Sequence, residues 1–294
     1  MEKPSSADLK GVQFGSEIVK NNQMSLPFKF SKKDLSFVGF VIVYILSGIG
    51  IFSYFNFRSE QILREKANTL LETTVRKDFS FLVFGDSGTG SDSQMKIAEQ
   101  MKQQEFDLLI QTGDLAYNSG TYSQIQKNVL DVYGEILDKK AFYPSLGNHD
   151  YGTDKGEPFV KTFQLPGNER FYSFEYNDVL FVALDTNDPL KQEPSQMLPW
   201  LRQTLSANHN QWIMIYFHHP PYSSGAHGSQ KEVQEKLVPI FEEFQVDFVF
   251  SGHDHNYQRT CPIQKNSCVE KGVEYIVTGG AGAALYPVGK EQWF

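Results

Sequence analysis

Five apolar segments of this chain are each followed directly by a turn that carries aspartate, asparagine or histidine. The five turns are Gly85-Asp86, Gly113-Asp114, Gly147-Asn148-His149-Asp150, His218-His219 and Gly252-His253-Asp254-His255. An isolated turn of this composition is often only a turn, because glycine and asparagine adopt positive φ at little cost. The repetition of one pattern at five segment ends predicts that these turns meet in one polar site.

The segments before these turns have the composition of β-strands, and amphipathic segments lie between them. β-branched and aromatic residues predict strands at 79–84, 107–111, 141–146, 171–176, 179–184, 211–217, 247–250 and 273–277. Apolar residues at three- and four-residue spacing predict helices at 93–104, 123–137, 195–206 and 231–244. Such alternation is typical of an α/β fold, which builds its sites in the loops beyond the carboxyl ends of strands.

Histidine is concentrated in the predicted loops. All seven histidines lie there, and five of them, namely His149, His218, His227, His253 and His255, are candidates for one site. Mixed ligation by Asp, Asn and His suits divalent and trivalent first-row metals better than calcium, which prefers oxygen ligands alone. Any one of these residues taken singly is more often structural or solvated. The five loops together predict a metal site.

The spacing of these residues favours two metal ions rather than one. His253 and His255 are two residues apart, so in an extended segment their side chains point to opposite sides and reach different ions. A carboxylate such as that of Asp114 has two oxygens and can bridge both. Two ions about 4 Å apart activate a water between them and neutralise a phosphoryl group during in-line attack.

The charge of the chain argues against a nucleic-acid partner. The formal net charge is −8, and the part after residue 60 is more acidic, with 20 basic against 30 acidic residues. A nucleic-acid-binding surface needs a basic patch that displaces counterions. We therefore expect no nucleic-acid partner, and the acidic composition is compatible with a carboxylate-rich site that holds cations.

The N-terminal region predicts a membrane anchor. Residues 35–57 are almost uninterrupted apolar sequence, long enough to cross a bilayer. A cleavable signal peptide is the less favoured alternative, because the preceding polar tail 1–34 is long and no small-x-small cleavage site follows. The lysines before the span slightly favour a cytoplasmic N-terminus, which places the rest outside the cytoplasm. Residues 58–77 are predicted as a stalk helix, and 78–294 as the single catalytic domain.

Cys261 and Cys268 enclose a short polar loop. In an exported domain this pair is expected to form a loop-closing disulfide, and the alternative is two free thiols in a hairpin.

The order of these motifs resembles the calcineurin-like metallophosphoesterase superfamily over roughly residues 79–284. Tyr117, three residues after Asp114, and the spacing from His218 to His227 resemble the purple acid phosphatases of the small, tartrate-resistant type. The resemblance implies two packed mixed β-sheets flanked by helices, a four-layer sandwich. Those phosphatases continue with further strands beyond residues 279–283, so we expect the second sheet to be either abbreviated here or completed by strands outside this sequence.

The resemblance also implies a role for each residue. Asp86, Tyr117 and His255 would hold Fe(III), Asn148, His218 and His253 would hold a divalent Fe, Zn or Mn ion, and Asp114 would bridge the two. His149 would face the substrate as a catalytic group, and His227 would assist it from the opposite loop. Asp150 is expected to orient a neighbouring histidine or backbone amide, and His219 is expected to be supporting or structural.

The function implied is the hydrolysis of phosphate monoesters by in-line attack of a metal-bound hydroxide, as in an acid phosphatase. Phosphodiester or nucleotide hydrolysis is the alternative within the superfamily, since it needs the same metals and a different pocket. The alternative from another class is a catalytically silent surface protein that retains the metal fold for binding a partner.

Overall fold

Strands and helices alternate along most of the chain that the computed structural model describes, which comprises residues 58, 61, 64, 78–191, 195–290 and 292–294. The strands are β1 Phe81–Phe84, β2 Leu108–Gln111, β3 Ala141–Pro144, β4 Tyr172–Tyr176, β5 Val179–Ala183, β6 Trp212–Tyr216, β7 Phe248–Ser251, β8 Tyr257–Arg259, β9 Ile263–Gln264, β10 Ser267–Cys268 and β11 Glu274–Thr278. The α-helices are α1 Asp92–Lys102, α2 Tyr122–Ile125, α3 Asp131–Leu137, α4 Glu157–Thr162, α5 Asp188–Lys191, α6 Met197–Ser206, α7 Lys231–Lys236 and α8 Val238–Glu243.

The expected membrane span, residues 35–57, lies outside the described residues, as do the polar tail and most of the expected stalk. None of the helices in the described part of the chain has both the length and the apolar character that crossing a bilayer requires.

The strands that precede the polar turns belong to two sheets. The smaller has the strand order β1-β2-β3, and the larger has the order β4-β5-β6-β7-β11-β8. Strands β5, β6, β7 and β11 are parallel, while β4 and β8 add antiparallel edges. The larger sheet is therefore mixed, as expected. The smaller sheet is wholly parallel among the described strands, which differs from the mixed sheet that we expected.

The two sheets pack face to face, with helices on both outer faces. Leu108 and Ile110 of β2 meet Tyr172, Phe181 and Tyr216 of the larger sheet in a buried layer. The outer face of the smaller sheet packs on α1, α3 and α4, and that of the larger sheet packs on α6, α7 and α8. Helix, sheet, sheet and helix thus form four layers, and Leu108, Ile110, Phe181 and Tyr216 between the two sheets are fully buried.

All eight predicted strands and all four predicted helices are present, with local differences. The helix predicted at 123–137 is α2 and α3 joined by a π-helical turn, Gln126–Leu130. The helix predicted at 231–244 is broken at Leu237, where Pro239 in the first turn of α8 cannot donate a backbone hydrogen bond. Helix α4 was not predicted, because Pro158 and its short length conceal its periodicity.

The cysteine pair forms a disulfide. Cys261 and Cys268 are bonded, with their Cα atoms 5.6 Å apart, and the bridge closes the β9–β10 hairpin. The expected disulfide is confirmed, and the alternative of two free thiols is wrong.

Candidate dinuclear metal centre

The polar turns identified in the sequence follow the ends of β1, β2, β3, β6 and β7. Within each sheet these strands are parallel and in register, so their carboxyl ends lie at one edge. The backbone nitrogen of Asp86 donates to the carbonyl oxygen of Gly113 at 3.0 Å, and that of Gly252 donates to the carbonyl oxygen of His218 at 3.0 Å. These bonds join two pairs of neighbouring turns, and the backbone nitrogens of His149 and His253 donate to the carboxylates of Asp114 and Asp86. The predicted convergence of the turns is therefore present.

Three of the proposed ligands have left-handed backbone conformations. The φ angles of Asp86, Asp114 and His253 are +57°, +57° and +70°. Residues other than glycine adopt this region at a cost, and such residues are concentrated at functional sites. The surrounding fold therefore stabilises these conformations, and each one turns its side chain toward the shared edge.

Asp86, Tyr117 and His255 form a first ligand cluster. The Tyr117 hydroxyl donates to Oδ1 of Asp86 at 3.2 Å and lies 3.1 Å from Nε2 of His255. Nε2 of His255 is itself 3.4 Å from Oδ1 of Asp86. Nδ1 of His255 donates to the carbonyl oxygen of Ala284 at 2.8 Å, so that nitrogen carries a proton and Nε2 is the atom left for a metal.

Asn148, His218 and His253 form a second ligand cluster. Nε2 of His218 lies 2.9 Å from Oδ1 of Asn148 and 3.1 Å from Nδ1 of His253. Nδ1 of His218 donates to the carbonyl oxygen of Thr112 at 3.0 Å, which again leaves Nε2 for the site. Each cluster thus brings together the three residues that the resemblance grouped.

Asp114 lies between the two clusters. Its Oδ2 is 3.4 Å from Nε2 of His218, and its carboxylate also interacts with the Tyr117 hydroxyl. Gly147 permits this close approach, because a Cβ at that position would lie 2.1 Å from Oδ1 of Asp114. Gly147 does not have a positive φ, so space beside the carboxylate, and not the turn, is what requires glycine here.

The electrostatics of the clusters favour a bound cation. Asp86 and Asp114 are both fully buried, and burial together with the charge of Asp114 raises the pKa of Asp86. Burial alone would lower the pKa of His218, but the two carboxylates raise it to about 9. The site therefore attracts positive charge, and protons and metal ions compete for the same atoms.

The chemistry of the donor set fits two metal ions. Asp86, Asp114 and His218 have ligand atoms within 4.8 Å of one another. Burial and the two carboxylates raise the pKa of Tyr117 well above its usual range, so a tyrosinate at this position requires a cation beside it. Oxygen and imidazole donors together suit first-row transition metals.

His149 lies beside the shared carboxylate at the mouth of the site. Its side chain is 36% exposed, and its Nε2 is 4.0 Å from Oδ2 of Asp114. Nδ1 donates to the carbonyl oxygen of Asn118 at 2.6 Å, which fixes the ring and leaves Nε2 free to exchange a proton. His149 is thus close to both clusters without belonging to either.

His227 is exposed and lies against the second ligand cluster. Its ring stacks on that of His253 with centroids 4.1 Å apart, and its backbone nitrogen donates to Oδ1 of Asp254 at 2.8 Å. His219 packs against the other side of the cluster, with its ring centroid 4.8 Å from that of His253 and its Nδ1 2.7 Å from the Thr186 hydroxyl. His227 faces solvent, whereas His219 supports the cluster from within.

Asp150 holds backbone amides rather than a histidine. Its carboxylate accepts hydrogen bonds from the nitrogens of Leu115, Ala116 and Gly147 at 3.0 to 3.1 Å. Of the two roles that the sequence left open for Asp150, the structure shows the backbone role. The carboxylate thereby fixes the loop of Asp114 against that of His149.

Some supporting groups had no sequence signal. The carbonyl oxygens of Thr112, Asn118 and Ala284 orient three histidines, and any residue type can supply a carbonyl. Asp254 is part of a recognised motif, yet its role appears only in the fold, where it accepts from Ser223 and from the backbone of His227. In the sequence, the position of Asp254 between two histidines was the one available sign that it supports the site.

The four-layer fold and the two clusters that share Asp114 are those of a metallophosphoesterase-like domain. The chain belongs to the calcineurin-like phosphoesterase family, whose model matches residues 79–257. The resemblance inferred from the sequence is confirmed.

Purple acid phosphatases are among the relatives of this chain. Purple acid phosphatase 17 of Arabidopsis thaliana is 28% identical over 240 residues, covering 70% of this chain and 69% of that protein. "Probable inactive purple acid phosphatase 27" of the same plant is 26% identical over 253 residues, covering 69% of this chain and 41% of that protein. A purple acid phosphatase from yellow lupin (Lupinus luteus) seeds has a similar fold, with a TM-score of 0.65 at 23% identity over 73% of this chain and 46% of that chain.

Proposed function

We propose that this protein hydrolyses small phosphate monoesters at a dinuclear metal centre, with Fe(III) in the cluster of Tyr117 and a divalent Fe, Zn or Mn ion in the cluster of Asn148. The observation that carries the proposal is the position of Asp114, which contacts both clusters and lies beside His149. A carboxylate shared by two ligand clusters can hold two metal ions, and a histidine beside it can exchange a proton, and both contribute to the hydrolysis of phosphoesters.

Each residue has a defined role in this proposal. Asp86, Tyr117 and His255 hold one ion, Asn148, His218 and His253 hold the other, and Asp114 contributes to both. When bound, the two ions supply the positive charge that stabilises a phosphoryl group and lowers the pKa of water. Carbonyl oxygens orient the imidazoles of His218 and His255, so their Nε2 atoms are positioned before a metal binds.

His149 is the group we assign to proton transfer. Its Nδ1 remains bonded to the carbonyl oxygen of Asn118, so only Nε2 changes its protonation state. When protonated, Nε2 donates to the oxygen of the leaving group and converts it from an alkoxide to an alcohol. His227, exposed on the opposite wall, contacts the phosphate or the leaving group from the other side.

A comparison of substrates tests the reaction class. An aryl phosphate and the corresponding bis-aryl phosphate differ in one ester bond and release the same coloured phenol. The proposal requires a higher kcat/KM for the monoester. A higher kcat/KM for the diester would assign the alternative reaction to the same metals, since the pocket rather than the ligand set decides between them.

A silent binding protein is a second candidate, because several relatives of this chain are named as probably inactive purple acid phosphatases. This chain retains an oxygen or imidazole donor at every proposed ligand position, which favours catalysis. Metal-loaded protein that releases no phosphate from any monoester would support the silent protein instead.

We also propose that the domain lies outside the cytoplasm, attached through the expected N-terminal span. The Cys261–Cys268 disulfide supports this location, because disulfides persist in oxidising compartments. Protease added to intact cells should remove the domain, and complete protection until the membrane is permeabilised would contradict this placement.

A further inference from the structure

The last loop of the domain, residues 279–286, folds back over the first ligand cluster. The backbone nitrogens of Ala281 and Ala283 donate to the carbonyl oxygens of Gly85 and Asp86 at 3.1 and 2.9 Å. Further along, the backbone nitrogen of Tyr286 donates to the carbonyl oxygen of His255 at 3.0 Å. The loop is therefore bonded to both ends of the cluster, at Asp86 and at His255.

Tyr286 ends this loop with its ring against two histidines. The ring is nearly parallel to the imidazole of His255, with an interplanar angle of 11° and centroids 4.1 Å apart. Its edge meets the imidazole of His227, with centroids 5.4 Å apart at 66°. One aromatic side chain thus contacts a proposed ligand of the first metal ion and the proposed assisting group at the mouth.

The contacts of the His255 imidazole leave it little freedom. Nδ1 donates to the carbonyl oxygen of Ala284, and one face is covered by the ring of Tyr286. The hydrogen bond alone fixes the position of Nδ1 but permits the ring to tilt about that bond. The ring of Tyr286 lies against the face of the imidazole and opposes this tilt, and Nε2 is 3.4 Å from Oδ1 of Asp86.

We propose that Tyr286 is a positioning residue that holds His255 as a ligand of the first metal ion and orients His227 across the mouth. Its effect on metal retention is independent of the reaction, whereas its effect on turnover rests on the proposed function. The aromatic ring, rather than the hydroxyl, carries the role, because both histidine contacts are made by the ring.

Three substitutions separate the ring from its volume and its hydroxyl. Tyr286→Phe keeps the aromatic ring and removes the hydroxyl. Tyr286→Leu keeps much of the side-chain volume but has no planar ring, and Tyr286→Ala removes both the ring and the volume. Tyr257→Ala is the matched control, since Tyr257 lies two residues from His255 and is 65% exposed.

Each full-length variant is loaded with iron or with zinc, and transfer of the metal to a chelator is timed. The iron form is followed by its visible absorption and the zinc form by a zinc-sensitive dye.

The inference predicts faster metal release from the Ala and Leu variants, by about tenfold, which is the usual effect of losing a group that orients a metal ligand. The Phe variant and Tyr257→Ala should match the unmodified protein, and a visible band should shift only in the Ala and Leu variants. Ala and Leu variants that release both metals at the unmodified rate would overturn the inference.

The outcome separates this inference from the proposed function. If the unmodified protein hydrolyses aryl phosphate while all variants release metal equally, the positioning role alone falls. If the unmodified protein does not hydrolyse the ester while the Ala and Leu variants lose metal faster, the proposed function falls and the positioning role stands.

Discussion

Nε2 of His149 lies 4.0 Å from Oδ2 of Asp114, the carboxylate that contacts both ligand clusters. The Nδ1 atom of the same ring is bonded to the carbonyl oxygen of Asn118, so the imidazole presents a single nitrogen to the space above Asp114. A histidine placed beside the metal ligands, and fixed by a backbone carbonyl, is suited to move a proton without displacing a metal ion.

The His149→Ala substitution should lower kcat for an aryl phosphate by about a hundredfold or more, because proton transfer to the leaving oxygen is lost. Metal content should be unchanged, since His149 belongs to neither cluster. His209→Ala is the matched control, because His209 is exposed and away from the site. A His149→Ala enzyme that turns over like the control would remove the proton-transfer role.

The Tyr117→Phe substitution should abolish visible absorption in the iron-loaded protein, because it removes the phenolate that we propose as a ligand of ferric iron. The phenyl ring retains the packing of Tyr117, so the fold should be unaffected. Tyr122→Phe provides the control, as Tyr122 is exposed and belongs to neither cluster. Visible spectra recorded at equal iron content check the prediction, and an undiminished band in Tyr117→Phe would refute the tyrosinate assignment.

The Asp150→Asn substitution should lower the free energy of unfolding by about 2 to 3 kcal/mol, because the amide NH2 replaces an acceptor of a buried backbone N–H. Both oxygens of Asp150 are engaged, so neither orientation of the amide satisfies all three donors. Asp154→Asn is the control, since Asp154 is exposed with φ of +45°, which asparagine tolerates. Urea unfolding measures both, and equal stability of the two variants would contradict the role of Asp150.

The buried carboxyl group of Asp185 should make the free energy of unfolding depend on pH. Burial raises its pKa from the usual 3.8 to about 6, against the opposing hydrogen bonds from Asn187. A carboxyl whose pKa is raised on folding stabilises the protein below pH 4, and that contribution is lost as pH rises to 6. Since each pKa unit is worth about 1.4 kcal/mol, the loss is about 3 kcal/mol.

The Asp185→Asn substitution isolates this effect, because asparagine does not titrate. The difference in unfolding free energy between the unmodified protein and the variant should change between pH 4 and 6 and stay constant above pH 7. A difference that does not vary over this range would show that Asp185 titrates normally in the fold.

The sequence predicted the strands well because their side chains are buried in a regular pattern. Strand β5, Val179–Ala183, is apolar throughout and lies buried between its neighbours. Strand β8, Tyr257–Arg259, was not predicted, since its three residues are polar or exposed and only pairing with β11 makes it a strand. Local composition indicates a buried strand but not one that depends on its partner.

The candidate ligands were predicted because chemistry restricts the residue types that bind metals. Asp86 and His253 could be chosen from the sequence, but their left-handed backbone could not, because it results from hydrogen bonds to other loops. Tyr286 had no sequence signal at all, since an aromatic residue after a glycine-rich loop is common. Its position against His255 depends on how residues 279–286 fold back.

The central claim is that two metal ions at the clusters of Tyr117 and Asn148 are required for phosphate ester hydrolysis. The most direct measurement removes all metal with a chelator and follows aryl phosphate hydrolysis while iron and then zinc are added back. The account predicts no activity without metal, full activity at two ions per chain, and visible absorption from the ferric ion. Full activity in the metal-free protein, or activity that saturates at one ion per chain, would contradict it.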